Sequence, residues 1–183
     1  MNHLLTTSSP LPAPRSLPRE RSAFTLIELL VVISIIAILA GLAFPAVQGA
    51  LGQGKKAQAR NDVNQIAQAF KAYQLEYGSL PATGTTDGAP PADWISSLTR
   101  SNATFNKRGI VFFEPKNAKG GKGGLTNNVY YDPWGKAYTV LLDLNYDNKL
   151  VTNSQTYFTT AIVESGGPDT NLSTTSDNIS NIK

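Results

Sequence analysis

Two sets of side chains in this sequence have types and spacing that could do chemistry. The first is a single carboxylate, Glu28, near the start of the apolar run Phe24 to Val47. From Leu29 to Val47, nineteen consecutive residues carry no charge. At about 1.5 Å per residue, a helix of that length matches the hydrocarbon thickness of a bilayer. A carboxylate at membrane depth costs about 3 kcal/mol or more unless it is protonated or paired. No Lys, Arg or His lies between Phe24 and Gly54, so a partner within the same helix could only be a new amino terminus made by cutting just before Phe24. The second set is Asp143-Leu-Asn145-Tyr-Asp147-Asn148-Lys149, with side-chain oxygens at every second position, as in the first half of an EF-hand loop. Ser154 would stand at position twelve instead of Glu, and Asn148 replaces the Gly. A hairpin turn built from Asp, Asn and Lys is the competing reading.

Other chemistries are excluded by composition. The one histidine, His3, lies in the first residues and there is no cysteine, so triads, thiol chemistry and His/Cys zinc sites are ruled out for the rest of the chain. The formal charge is +3. Arg15, Arg19, Arg21 and Glu20 account for +2 of it, leaving 13 Lys+Arg against 12 Asp+Glu after residue 23. A nucleic-acid partner is not indicated. The cluster Lys116, Lys119, Lys122 sits among Gly and Asn, as in a solvated loop.

The elements that must position these groups follow from composition shifts and periodicity. Residues 1–23, with four prolines and three arginines, read as a processed leader. Residues 24–54 read as a transmembrane helix, softened after Pro45 by Gly49, Gly52 and Gly54 at about 1 kcal/mol each relative to Ala. Residues 55–80 continue it: Val63, Ile66, Phe70, Tyr73 and Tyr77 form a helical stripe, with Arg60, Asp62, Asn64, Gln68 and Lys71 off it. Gly78 and Pro81 end the helix, which unbroken would run about 80 Å. Residues 81–128 read as a long loop holding one helical turn, Trp94 to Leu98, and one strand, Gly109 to Phe113. Residues 129–183 read as an antiparallel sheet and a carboxy-terminal loop, with strands Ala137 to Leu144 and Tyr157 to Glu164 packed on the helix stripe. The fold class is α+β. About a hundred residues remain for a core that has no disulfide to hold it.

Ala23-Phe24-Thr25-Leu26-Ile27-Glu28 resembles the cleavage and methylation signature of type IV pilins and type II secretion pseudopilins. The resemblance implies that a prepilin peptidase cuts between Ala23 and Phe24 and methylates the Phe24 amine. It also implies that Glu28 pairs with that amine in a neighbouring copy. Ala23 departs from the family, which has Gly there far more often. Pro45 falls where the family carries a helix-bending proline. Further along, Asp132-Pro133-Trp134-Gly135-Lys136-Ala137-Tyr138 is similar to a segment of the major pseudopilins, and Ser165-Gly166-Gly167-Pro168-Asp169 resembles the opening of their carboxy-terminal loop. In that family the loop binds calcium through aspartates, for which Asp169 and Asp177 are the matching residues here. Thr170 and the Ser/Thr tract replace glycines and further acids, so a plain polar tail is the alternative.

The resemblance covers the helix and the last third of the chain. It implies a pilin-like fold, a long amino-terminal helix on a small antiparallel sheet, and a non-enzymatic structural subunit of a periplasmic pseudopilus. Such a subunit is anchored once in the inner membrane, with its carboxy-terminal domain in the periplasm. Its partners are copies of itself, prepilin peptidase, membrane lipid and the inner-membrane assembly machinery. A type IV pilin for adhesion, motility or DNA uptake is the near alternative, and a membrane-anchored periplasmic binding module the distant one.

Overall fold

A computed structural model describes residues 24–100, 102 and 104–182. The chain divides into two compact units between Pro45 and Ala46. Helix α1, Leu26–Tyr77, holds 52 residues and passes through Pro45, Gly49, Gly52 and Gly54 without interruption. The softening expected from those glycines leaves no break, because Ala46, Gln48, Ala50, Leu51 and Lys55 between them favour helix.

The first unit presents an apolar helical surface on all sides. Every described residue up to Pro45 is exposed, with Leu26 at 81% and Leu42 at 72%. The amphipathic alternation that appears later in α1 is missing here, which marks a segment built for an apolar environment on every face.

In the second unit the expected stripe is the core face of α1. Ala59, Val63, Ile66, Ala69, Phe70 and Tyr73 are buried, and Tyr77 packs against them. Asp62, placed by periodicity off the stripe, is in fact 2% exposed. The buried face is wider than one row: Asp62 stands four and seven residues before Ile66 and Ala69, the spacing of neighbours on one helix surface. Its Oδ2 accepts the Tyr138 hydroxyl at 3.0 Å and its Oδ1 accepts Lys116 Nζ at 3.3 Å. Burial first, and then the Asp62 charge, push the Tyr138 phenol far up, so it stays a donor.

Helix α2, Trp94–Leu98, lies where the sequence places it, and the Trp94 ring packs on Phe70 at 5.5 Å. The strand expected at Gly109 to Phe113 does not form. Asn106 takes the backbone groups of Ile110 that a ladder would need, accepting its N–H at 3.0 Å and donating to its carbonyl at 2.6 Å. The N–H groups of Phe112 and Phe113 both go to the Leu98 carbonyl. The sheet starts earlier than expected: β1 (Gly124–Thr126) pairs with β2 (Val129–Tyr131) across Asn127-Asn128, both at positive φ. Two Asn residues with φ above zero make the turn whose twist suits a two-residue hairpin.

Strand β3 (Thr139–Leu142) pairs antiparallel with β6 (Ala161–Ser165), Thr139 opposite Glu164, and β7 (Ile179–Ser180) adds to the far edge of β6. Between β3 and β6 lies a hairpin, β4 (Leu150–Thr152) and β5 (Gln155–Tyr157). The arrangement is α+β: among the described residues there are three small antiparallel sheets, and β1–β2 and β3–β6–β7 share the core face of the long helix.

Removing the hydroxyl with Tyr138→Phe leaves the buried Oδ2 of Asp62 without its donor. We expect a loss of about 1–3 kcal/mol in denaturant unfolding. Lys116→Gln, on a side chain 47% exposed, is expected to cost under about 1 kcal/mol. Equal losses from the two variants would show that the ion pair, and not the tyrosine, holds Asp62.

Candidate functional site

At the amino-terminal end, Ala23 lies outside the described residues, and Phe24 is 75% exposed. Glu28 has hydrogen-bond donors just ahead of its helix, in Thr25, which is neutral and supplies no counter-charge. Thr25 N–H donates to Glu28 Oε2 at 2.8 Å and the Thr25 hydroxyl donates to the same oxygen at 2.6 Å. Glu28 N–H donates in return to Thr25 Oγ1 at 3.2 Å. This reciprocal pair is a capping box, readable in the sequence as Thr-x-x-Glu ahead of an apolar run. It satisfies donors that a helix start leaves open and places negative charge at the positive end of the dipole. Beside it runs an apolar groove of about 350 Å³, lined by Phe24, Ile27, Val31 and Val32.

At the other end of the chain the structure brings Asp169 and Asp177 together: Asp169 N–H donates to Asp177 Oδ2 at 3.3 Å. Around Asp169 the loop is self-bonded. Its Oδ1 accepts Asn171 N–H at 2.8 Å and its Oδ2 accepts the Thr174 hydroxyl. These two bonds, the hydroxyl foremost, hold the Asp169 carboxyl below its ordinary range and keep it ionised. Asp177 Oδ1 and Asn178 Oδ1 are buried and accept no hydrogen bond. Buried oxygens without donors are the kind of group that a hard cation taking oxygen ligands would satisfy. Among the described residues no three of His, Cys, Asp or Glu gather at one point, so neutral oxygens would have to complete the shell.

A residue that sequence reasoning treated only as part of a turn positions this loop. Asp132 is wholly buried, and its Oδ1 accepts the N–H groups of Trp134, Gly135 and Lys136 at 3.0, 2.8 and 2.9 Å. Its Oδ2 accepts the Ser165 hydroxyl at 2.6 Å, and Gly167 N–H donates to Ser165 Oγ at 3.1 Å. The turn after β2 thus fixes the mouth of the carboxy-terminal loop.

In the second set, Asp143, Asn145 and Asp147, one oxygen of each bonds the backbone ahead of it: Asp143 Oδ2 accepts Asn148 N–H, Asn145 Oδ1 accepts Asp147 N–H and Asp147 Oδ1 accepts Lys149 N–H. Asp143 Oδ1 is buried and unbonded. The segment is a turn, though not a hairpin turn, since β3 on its amino-terminal side pairs with β6 and not with β4. Ser154 belongs to the β4–β5 turn, at φ +61°.

The model of the prokaryotic N-terminal methylation motif matches residues 18–44. Over 123 residues the chain is 33% identical to type II secretion system core protein G of Pseudomonas aeruginosa, covering 67% of this chain and 75% of that protein. The chain belongs to the type II secretion core protein G family. The corresponding protein of Escherichia coli is 28% identical over 122 residues, covering 67% of this chain and 72% of its own length. The type IV major pilin protein PilE1 of Neisseria gonorrhoeae is 32% identical over 100 residues, 49% of this chain and 56% of that protein. No solved structure matches.

The motif match contains Thr25 and Glu28, so the capping box lies inside the methylation-motif segment. The carboxy-terminal loop is closed by Gly167, at φ +65°, where an added Cβ would lie 2.3 Å from the Asp177 carbonyl oxygen. Gly120 has a similar φ of +59° but open space around it. Gly167→Ala should therefore speed proteolysis within residues 168–178 and destabilise by more than the roughly 1 kcal/mol that positive φ alone costs Ala. Gly120→Ala should show only that backbone cost. Equal behaviour of the two would mean that the Asp177 backbone can move away freely.

Proposed function

We propose that this chain is a non-enzymatic structural subunit of a pseudopilus of type II secretion. A prepilin peptidase cuts it between Ala23 and Phe24 and methylates the new amine. The mature chain is anchored once in the inner membrane with its carboxy-terminal domain in the periplasm, and it assembles through α1 into a filament with copies of itself. The observation that carries this reading is Glu28: a carboxylate within a helix apolar on every face, in a chain 33% identical to a core protein G. The lack of any cysteine favours the pseudopilin over a disulfide-looped type IV pilin.

Mass spectrometry of the amino-terminal peptide from assembled protein should find methylated Phe24. Residues 1–23 still attached in the assembled form would overturn the reading. Glu28→Ala removes both the cap and the charge, whereas Glu28→Gln keeps a capping box, since Gln reaches back equally well. Both variants should insert into membrane as well as the parent, because a neutral side chain is cheaper in lipid. Both should fail to form filaments, because the neighbour's amine is left without a counter-charge. Filaments from Glu28→Gln at parental yield would assign Glu28 to helix capping alone.

We further propose that calcium binds the carboxy-terminal loop, held by Asp169 and Asp177 with neutral oxygens such as Asn178 Oδ1. Calcium at about a hundred times its dissociation constant adds about 2.7 kcal/mol to the native state. In a domain of this size that raises the melting temperature by roughly 10 °C. Chelator should abolish the rise, as should Asp177→Ala, whose carboxylate carries one of the orphaned oxygens. If Asp147→Ala abolishes it instead, the site is in the 143–149 turn. If calcium does nothing to the parent, neither loop is a site and the tail is only polar.

A further inference from the structure

The lysines of the long loop are exposed, as their composition suggests, but the backbone that carries them is ordered. Lys119 and Lys122 exchange backbone bonds, N–H to carbonyl at 3.0 and 3.3 Å, across Gly120-Gly121, both at positive φ. The small hairpin is tied down behind, where Ala118 N–H donates to the Leu125 carbonyl and Leu125 N–H to the Lys116 carbonyl. At Gly124 a Cβ would lie 2.6 Å from the Lys116 carbonyl oxygen, so the hairpin sits directly on β1. Two like charges are thereby held opposite one another, which costs stability unless an anion lies between or beside them. The hairpin faces α1 across a cleft of about 490 Å³ lined by Lys55, Gln58, Lys116, Lys119, Lys122 and Pro133. No acid lines it. Lys116 is paired with Asp62, while among the described residues Lys55, Lys119 and Lys122 have no ion-pair partner.

Position along α1 selects the anion. Lys55 stands eight residues after Val47, the last of the apolar run, hence about 12 Å farther along the helix. The headgroup layer takes up about half of that distance, and the remainder is within a Debye length of about 8 Å at physiological salt. We propose that this cleft docks on the phosphates of glycerophospholipids with net negative headgroups at the membrane surface from which α1 emerges. The inference rests on the reading of residues 24–47 as a membrane anchor.

The test uses the full chain in lipid nanodiscs, of phosphatidylcholine alone or mixed with phosphatidylglycerol, with hydrogen exchange read over residues 116–123. Each lysine at an anionic surface strengthens association about fivefold, so three unpaired lysines set an upper bound of about a hundredfold. Exchange should slow by about tenfold or more in the anionic discs, and high salt should reverse the effect. Charge reversal with Lys55→Glu, or the combination Lys55→Gln, Lys119→Gln and Lys122→Gln with an unchanged melting temperature, should remove the lipid dependence. Equal exchange of the parent in both discs overturns the proposal, a result that needs no variant to interpret. Inorganic phosphate giving the same protection in phosphatidylcholine discs also overturns it and makes the cleft a small-anion site. Protection that follows the number of copies per disc, whatever the lipid, overturns it in favour of an acidic surface on a second copy. Failure of the chain to enter phosphatidylcholine discs at all would sink the anchor reading, and this proposal with it.

Discussion

The carboxylate of Asp132, wholly withdrawn from water, accepts three backbone N–H groups and one hydroxyl. Much of the geometry of residues 46–183 follows from where those four donors come from. A buried carboxylate without donors costs many kcal/mol, so it fixes in place whatever satisfies it. Three donors belong to the turn just ahead, which closes Pro133 to Lys136 around Oδ1. The fourth is Ser165, thirty-three residues on. Ser165 ends β6 and stands opposite Ile179 of β7, so one side chain joins the turn after β2, the central strand of the three-stranded sheet and both ends of the carboxy-terminal loop. Any function of that loop is inherited from this contact.

Asp62 does for the helix what Asp132 does for the sheet. It lies on the core face of α1, where its two oxygens accept the hydroxyl of Tyr138, just before β3, and Lys116 of the lysine loop, with the Tyr130 phenol of β2 beside them. Tyr138 stacks on Tyr130 at 5.5 Å, and Tyr130 meets Phe113 edge-on at 5.3 Å, so the hydrogen bond is embedded in a run of aromatic rings. Burial raises the phenols of Tyr130 and Tyr138, which keeps them neutral donors. With no disulfide available, registration of helix against sheet falls to this pair of acids. The cost is that neither is replaceable by a polar group lacking acceptors.

What could be read from the sequence was whatever repeats or punctuates. The stripe Val63, Ile66, Phe70, Tyr73, the turn of helix at Trp94 to Leu98 and the pairing of β3 with β6 all carry a period or a breaker, and all are present. The pairing Asn127-Asn128 had a turn signal as well, but without Gly it was passed over, and β1 with it. Gly109 to Phe113 had the apolar, β-branched look of a strand, yet Asn106, a single side chain, diverts Ile110's backbone. Asp62 and Asp132 were hidden for a more general reason. Periodicity assigns charged residues to solvent, and what keeps these two inside are donors 76 and 33 residues away. At the proposed sites the same divide holds: Glu28, Asp169 and Asp177 were visible as residue types. Thr25 is legible too, as the first residue of Thr-x-x-Glu, but the roles of Ser165 and of the orphaned oxygen of Asn178 are not, because they exist only as contacts.

The apolar part of α1 poses the remaining physical question, since its exposed side chains are served equally well by lipid or by other helices. Within a bilayer there is no hydrophobic gain in exchanging one for the other, so association must be decided by close packing and by polar groups. Gly41 has open space around it and offers no preference by itself. Glu28 does. Both bonds from Thr25 fall on Oε2, and among the described residues Oε1 accepts none. The cap thus holds the carboxylate at a fixed place at the helix start while leaving half of it open. A cation arriving from a neighbouring copy would meet an acceptor already oriented, so pairing would not cost the rotamer freedom of a long side chain. The cap would therefore not compete with the intersubunit pairing proposed for Glu28, and a helix that lost Thr25 while keeping Glu28 would present the same charge less well aimed.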